Sequence, residues 1–282
     1  MNWRRIQERI FISLIGILTL TGCSILIFIL TFVLYKGLPP INLRFLTHQS
    51  SNFGSDGGIF YQLIGTLWLV IGVAMVSLPI ALGTALYHTE YMGENFKRIS
   101  SLMLFALNGI PSIIFGLFGY IFFCSFLNLG ISWVTGVLIL GIMIIPTITV
   151  SIKDSIENIP ASFRESGLAL GFTKGRLIIK VLIPQGLYGM ATGLLLGLAR
   201  VAGETAPIMF TATTFSGVTI PHSLKEPITT LPTHILVLAQ ESLNPAARTN
   251  AWGAAMLLMT IVFAMSLASL FLRLSRNKMR EE

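Results

Sequence analysis

Charge is scarce in this sequence. Only 11% of its 282 residues are Asp, Glu, Lys or Arg, 54% are hydrophobic, and the mean hydropathy is +0.79. A soluble domain carries about a quarter charged residues, so that class is excluded. Cysteine and histidine are also rare: two Cys (Cys23, Cys124) and four His (His48, His88, His222, His234). They are scattered without ligand spacing, which gives no support to a metal site or a hydrolytic triad. Both cysteines fall in apolar runs and are expected as small buried hydrophobes rather than a disulfide. No G-x-x-x-x-G-K-[ST] occurs, since "GFTKGRL" (171–177) has the residue types in the wrong order. The chain therefore carries no ATPase site and no cofactor of its own.

What is present is apolar sequence in runs longer than the roughly 18 to 20 residues that cross a bilayer. Six can be counted, at about 11–35, 60–87, 101–126, 131–152, 185–212 and 251–272. They predict an all-α integral membrane protein with six transmembrane helices, a single domain over residues 1–282. The start "MNWRRIQERIFISLIGILTLTGC" imitates a lipoprotein signal. The chain after Cys23 stays deeply apolar, however, so a continuous first span is the better reading. With the N-terminus placed inside, fourteen of the 19 Lys and Arg residues fall on inside segments. Lys36, Arg44, Lys225 and Arg248 fall outside, and Arg200 is in neither set. That bias predicts both termini in the cytoplasm. It also accounts for the net charge of +7 without nucleic acid.

Two loops stand out. The outside segment 213–250 contains Pro221, Pro227, Pro232 and Pro245. Within it, "LPTHILVLAQESL" has helical spacing and is read as a periplasmic surface helix or a re-entrant one. The inside loop around 160–184 reads as helix, turn and helix. Ser162 and Glu165 form a capping box that starts the first helix. Gly171 suits the positive-φ position past its end, and Thr173 caps a second helix running to Pro184.

The fifth run holds the chemistry. Within "LARVAGETAPIM" (198–209), Arg200 and Glu204 lie on one helix face, about 22 and 28 Å along a helix begun at Gln185. Each charge costs roughly 2.5–3.5 kcal/mol at the centre of a membrane helix, and an i, i+4 pair returns only about 0.2–0.5 kcal/mol. Pairing alone does not justify them. An interhelical network is one explanation. An anion pathway lined by Arg200, Glu204 and Thr205 is the other and the preferred one; Asn108 and Ser112 of helix three are further candidates for it, for which structural hydrogen bonding is at least as good a reading. Pro207 deprives the Gly203 carbonyl of its partner and predicts a bend there. Gly189, Gly193 and Gly197 form a strip for close helix contact.

The inside loop resembles the coupling motif of bacterial ABC importer permeases, Glu-Ala-Ala, three residues, Gly, nine residues, then Ile-x-Leu-Pro. Here Glu165-Ser166-Gly167, Gly171 and Val181-Leu182-Ile183-Pro184 keep that spacing. "GGIFYQLIGTLWLV" (57–70), "SLPIALGTALYHTEY" (77–91), "NGIPSIIFGLFG" (108–119) and "ARVAGETAP" (199–207) are similar to the PstA branch of the phosphate importers, along nearly the whole chain. The resemblance implies a type I ABC importer permease fold in the bacterial inner membrane. It implies a PstC-like permease partner, two copies of a cytoplasmic ATPase that bind ATP and Mg, and a periplasmic phosphate-binding protein. It makes Glu165, Gly171, Ser162 and Pro184 ATPase-coupling residues and puts phosphate near Arg200. The family's arginine near the inner end of helix four is here Lys153, a point charge without the guanidinium fork. The alternatives are a permease for sulfate or a phosphonate, an ion-gradient-driven secondary carrier, and a non-transporting scaffold.

Overall fold

A chain with long apolar runs must satisfy its backbone polar groups internally, and helices do so. The computed structural model describes residues 3–51, 54, 56–213, 223–241 and 243–281. The helices are α1 (Trp3–Gly37), α2 (Leu43–Thr47), α3 (Phe60–Glu90), α4 (Glu94–Asn108), α5 (Ser112–Gly119), α6 (Trp133–Glu157), α7 (Ala161–Ala169), α8 (Lys174–Leu177), α9 (Ile183–Gly203), α10 (Ala206–Thr211), α11 (Leu231–Gln240) and α12 (Pro245–Glu281). A minimal antiparallel hairpin, β1 (Ser50–Ser51) with β2 (Asp56–Gly57), lies in the loop after α2. Among the described residues, five helices are long and apolar enough to cross a membrane, or six if the bent pair of α4 and α5 is counted as one span.

α6 is the central helix. Ile139, Leu140, Ile144, Ile148, Ile152 and Ile156 along it are completely buried, with α3 packed on one side and α9 on another. Its start is well satisfied. Ser132 accepts from the Thr135 amide, and the amides of Trp133 and Val134 donate to the carbonyls of Glu226 and Leu224. Such partners remove the orphan donors that a helix start otherwise leaves. α9 lies close to α6 because a Cβ at Gly193 would run into Ser151, and one at Gly197 would lie 3.0 Å from Ile148. Gly186 is the third buried glycine of α9. The expected strip is therefore corrected: Gly189 is only half-buried and leaves this face to Gly186.

Three sequence expectations are revised. The third span is not one rod, because α4 and α5 meet at 89° across residues 109–111. Pro111 cannot continue the hydrogen-bond ladder and sits as the N-cap of α5. The second coupling helix does not stop at Pro184. α8 passes through a π-helical turn (Ile178–Leu182) straight into α9, forming one apolar helix from Lys174 to Gly203. The wider π turn falls just where Pro184 lacks its N–H, so the ladder crosses the proline without a break. Arg200 is thus measured from a start eleven residues earlier than Gln185. Finally, Cys124 is buried but Cys23 is exposed on α1. The apolar stretch of α1 is not buried against the rest of the chain. It leans on α12 near its C-terminal end, with Phe32 edge-on to Trp252 and Gly37 against Met256.

The proline-rich segment is partly described, and Pro221 and His222 lie outside the described residues. α11 packs against α3 and α12 with Leu231 and Leu238 fully buried.

Candidate functional site

The span that carries the two charges is broken. α9 ends at Gly203, Glu204 is extended (φ −71°, ψ 134°) and α10 begins at Ala206. The sequence predicted a bend; the chain instead stops and restarts. Pro207 is costly inside a helix, where its ring meets the carbonyl four residues back. It is at home in a first turn, where no N–H is required, and it occupies the first turn of α10. α10 can approach α5 because Gly116 faces Pro207 at 2.9 Å and Gly119 faces Thr211 at 3.0 Å from their would-be Cβ positions.

The break sets the charge geometry. Arg200 lies in the last turn of α9, where a cation is favoured by the helix dipole. Its Nε donates to Glu204 Oε1 at 3.3 Å. The arginine side chain remains 43% exposed while the glutamate side chain is 14% exposed. One face of the guanidinium is thus held by a carboxylate, and the rest is open. Thr205 is half-buried at the start of α10, and its carbonyl accepts from the Met209 amide.

The two helix-three candidates do not join this pair directly. Asn108 Oδ1 accepts from Thr147 Oγ1 of α6 at 2.7 Å, which clamps the α4–α5 bend. Ser112 is half-buried at the first turn of α5. Lys153 donates to Ser101 Oγ at 3.4 Å, a contact to α4. Ser101 also meets His88 Nε2 at 3.2 Å.

The coupling candidates form a second constellation. α7 ends at Ala169 with Leu170 as its C-cap, and Gly171 has φ +78°, with the Phe172 amide returning to the Gly167 carbonyl at 3.0 Å. That closing bond is the one a left-handed helix cap requires. Thr173 Oγ1 accepts from the Arg176 amide and caps α8. The capping box at Ser162 is not formed: Pro160 is the N-cap of α7, and Ser162 lies inside the first turn. Pro160 already fixes the backbone entry, which leaves no N-cap position for a hydroxyl. Glu165 and Gly171 are exposed, and Pro184 is exposed just after the π turn. Gly167 is buried against Leu177 and lets α7 close on α8.

One feature is absent from any local reading. Arg164 Nε and Nη2 donate to Glu90 Oε1 of α3 at 3.3 and 3.2 Å. The partners are 74 positions apart. The only hint in the sequence is that both lie at the ends of segments assigned to the same side.

The chain is 33% identical over 264 residues to a "Probable phosphate transport system permease protein PstA" of Methanocaldococcus jannaschii, covering 93% of this chain and 92% of that protein. It is 29% identical over 268 residues to the "Phosphate transport system permease protein PstA" of Haemophilus influenzae, covering 94% and 93%. Among solved structures, a bacterial ABC transporter involved in import of the acidic polysaccharide alginate aligns with TM-score 0.63 at 14% identity, over 95% of this chain and 97% of that one. At that identity the likeness concerns the fold, that of an ABC importer permease. Residues 77–281 match the family described as "Binding-protein-dependent transport system inner membrane component". The chain belongs to that family, whose members are transport subunits rather than enzymes.

Proposed function

We propose that the chain is the permease subunit of an ATP-driven importer that moves inorganic phosphate across the cell membrane, with both termini in the cytoplasm. The observation that carries the reading is the half-open guanidinium of Arg200, held on one side by Glu204 at the break of a membrane helix. An intramembrane charge left partly unpaired marks an ion path more often than a staple. The names of the relatives support phosphate as the ion.

The chemistry suits that ion. A guanidinium offers parallel donors to two oxygens of one phosphate. Glu204 orients Arg200 and can accept from the hydroxyl of a protonated phosphate, which sulfate lacks. It also weakens net attraction, which a transit site needs in order to release its ion. The extended backbone of Glu204 interrupts the helical ladder at the same level, and membrane proteins tolerate irregular backbone only where protein or water covers it.

The assembly contains a second, PstC-like permease subunit, two copies of a cytoplasmic ATPase and a periplasmic phosphate-binding protein. ATP and Mg bind on the ATPase subunits. The exposed Glu165 and Gly171 present the coupling helices to them, and the continuous α8–α9 rod carries their motion toward Arg200. The test is ATP hydrolysis by the reconstituted complex. Phosphate-loaded binding protein should stimulate it and a sulfate-loaded one should not; equal stimulation defeats the phosphate assignment.

A further inference from the structure

The contacts of Arg164 point to a joint that sequence spacing does not reveal. Arg164 is on α7, the first coupling helix. Its Nη1 donates to the Ile159 carbonyl at 2.9 Å and its Nη2 to the Ile156 carbonyl at 3.0 Å, at the C-terminal end of α6. Its Nε and Nη2 reach Glu90 Oε1 in the last turn of α3. One side chain thus fastens α7 to the ends of both α3 and α6, the pair that builds the core. Lys174, the first residue of α8, adds to this: its Nζ donates to the Glu90 carbonyl at 3.5 Å and lies 5.4 Å from the Tyr91 ring centroid. Both coupling helices therefore hold the same end of α3.

We propose that the Arg164–Glu90 pair is the joint that transmits movement of the coupling helices to α3 and α6, separately from the continuous connection of α8 to α9. The proposal rests on the importer reading above. Arg164 and Glu90 act through the helices they join and are positioning residues. Their side chains are only 24% and 13% exposed, so salt screens the pair weakly. A partly buried ion pair of this kind resists separation, because parting it leaves uncompensated charge. The covalent route instead runs from α8 through a π turn into α9. A push on α7 therefore reaches α3 and α6 as a rigid displacement.

The test uses the whole complex in proteoliposomes and measures phosphate taken up per ATP hydrolysed, with assembly checked by copurification. Arg164→Gln and Glu90→Gln should each lower that ratio by roughly tenfold while hydrolysis continues. The double variant should be no worse than the poorer single, since residues acting as one unit are non-additive. Arg164→Lys, which keeps the charge but not the fork, should be intermediate. If Arg164→Gln does not assemble, Glu90→Gln spares the carbonyl contacts and isolates the ionic link. An unchanged ratio in assembled single variants, or losses that multiply in the double variant, would overturn the joint. Failure of the importer reading is distinguishable, because the wild-type complex would then show no ATP-driven phosphate uptake at all.

Discussion

Arg200 and Glu204 are joined at 3.3 Å across the end of α9, but they are unequally exposed, 43% against 14% for the side chains. The glutamate is tucked under the helix break and the arginine looks outward. In the proposed pathway it is this open side of the guanidinium that meets the anion.

Arg200→Gln should therefore lower phosphate uptake by roughly two orders of magnitude, the scale of loss when a charged contact in a desolvated setting is removed. The complex should remain assembled, because the open side of the guanidinium is not a packing contact within the chain. Uptake by reconstituted vesicles and copurification of the partners check both halves. Loss of assembly would return the pair to a structural role.

Close packing of α6 on α9 makes a second expectation. A Cβ at Gly193 collides with Ser151. Gly193→Val should destabilise the protein by about 1–3 kcal/mol, the usual range for overpacking. Adding Ser151→Gly should recover much of the loss. The thermal midpoint of the purified complex reports this; no change with Gly193→Val would mean the helices are not in contact there.

How much of this was legible in the sequence depends on how local each feature is. The spans were legible because an apolar run of bilayer length reads the same in any tertiary context. Gly171 and Thr173 were legible because a left-handed cap and an N-cap are short-range events. Ser162 misled because Pro160, two residues earlier, had already taken the N-cap. The restart at Ala206 was misjudged because Pro207 fits both a bent helix interior and a first turn. Only close packing of α10 against Gly116 and Gly119 shows which occurs. The hydrogen-bond partner of Asn108 is Thr147, 39 positions away. Such a partner cannot be found by spacing, and the same holds for Arg164 with Glu90.

Glu165 is exposed and makes no ion pair among the described residues. Surface substitutions away from such features usually change stability by less than about 0.5 kcal/mol. Glu165→Arg should accordingly leave membrane insertion and thermal stability intact while weakening copurification of the ATPase, through reversed charge at the proposed docking face. A lowered thermal midpoint with normal ATPase binding would assign Glu165 to the fold instead.

The last expectation concerns pH. His234 of α11, a helix too short to span, is buried against Gln62 and the Gly54 backbone. Gln62 Nε2 lies 3.5 Å from His234 Nδ1. Burial penalises the imidazolium and lowers its pKa from 6.5 to about 4. The unfolded chain gains a proton near pH 6.5 that the folded protein refuses until about pH 4, so stability is full above 6.5 and declines as pH falls between these values. The contacts of Gly54 should loosen first, since it packs on the ring and its carbonyl accepts from Asn250. Thermal midpoints from pH 7.5 down to 5 should slope downward in the wild type and be flatter in His234→Gln, which cannot charge. Parallel slopes in the two proteins would mean that some other group governs the acid sensitivity.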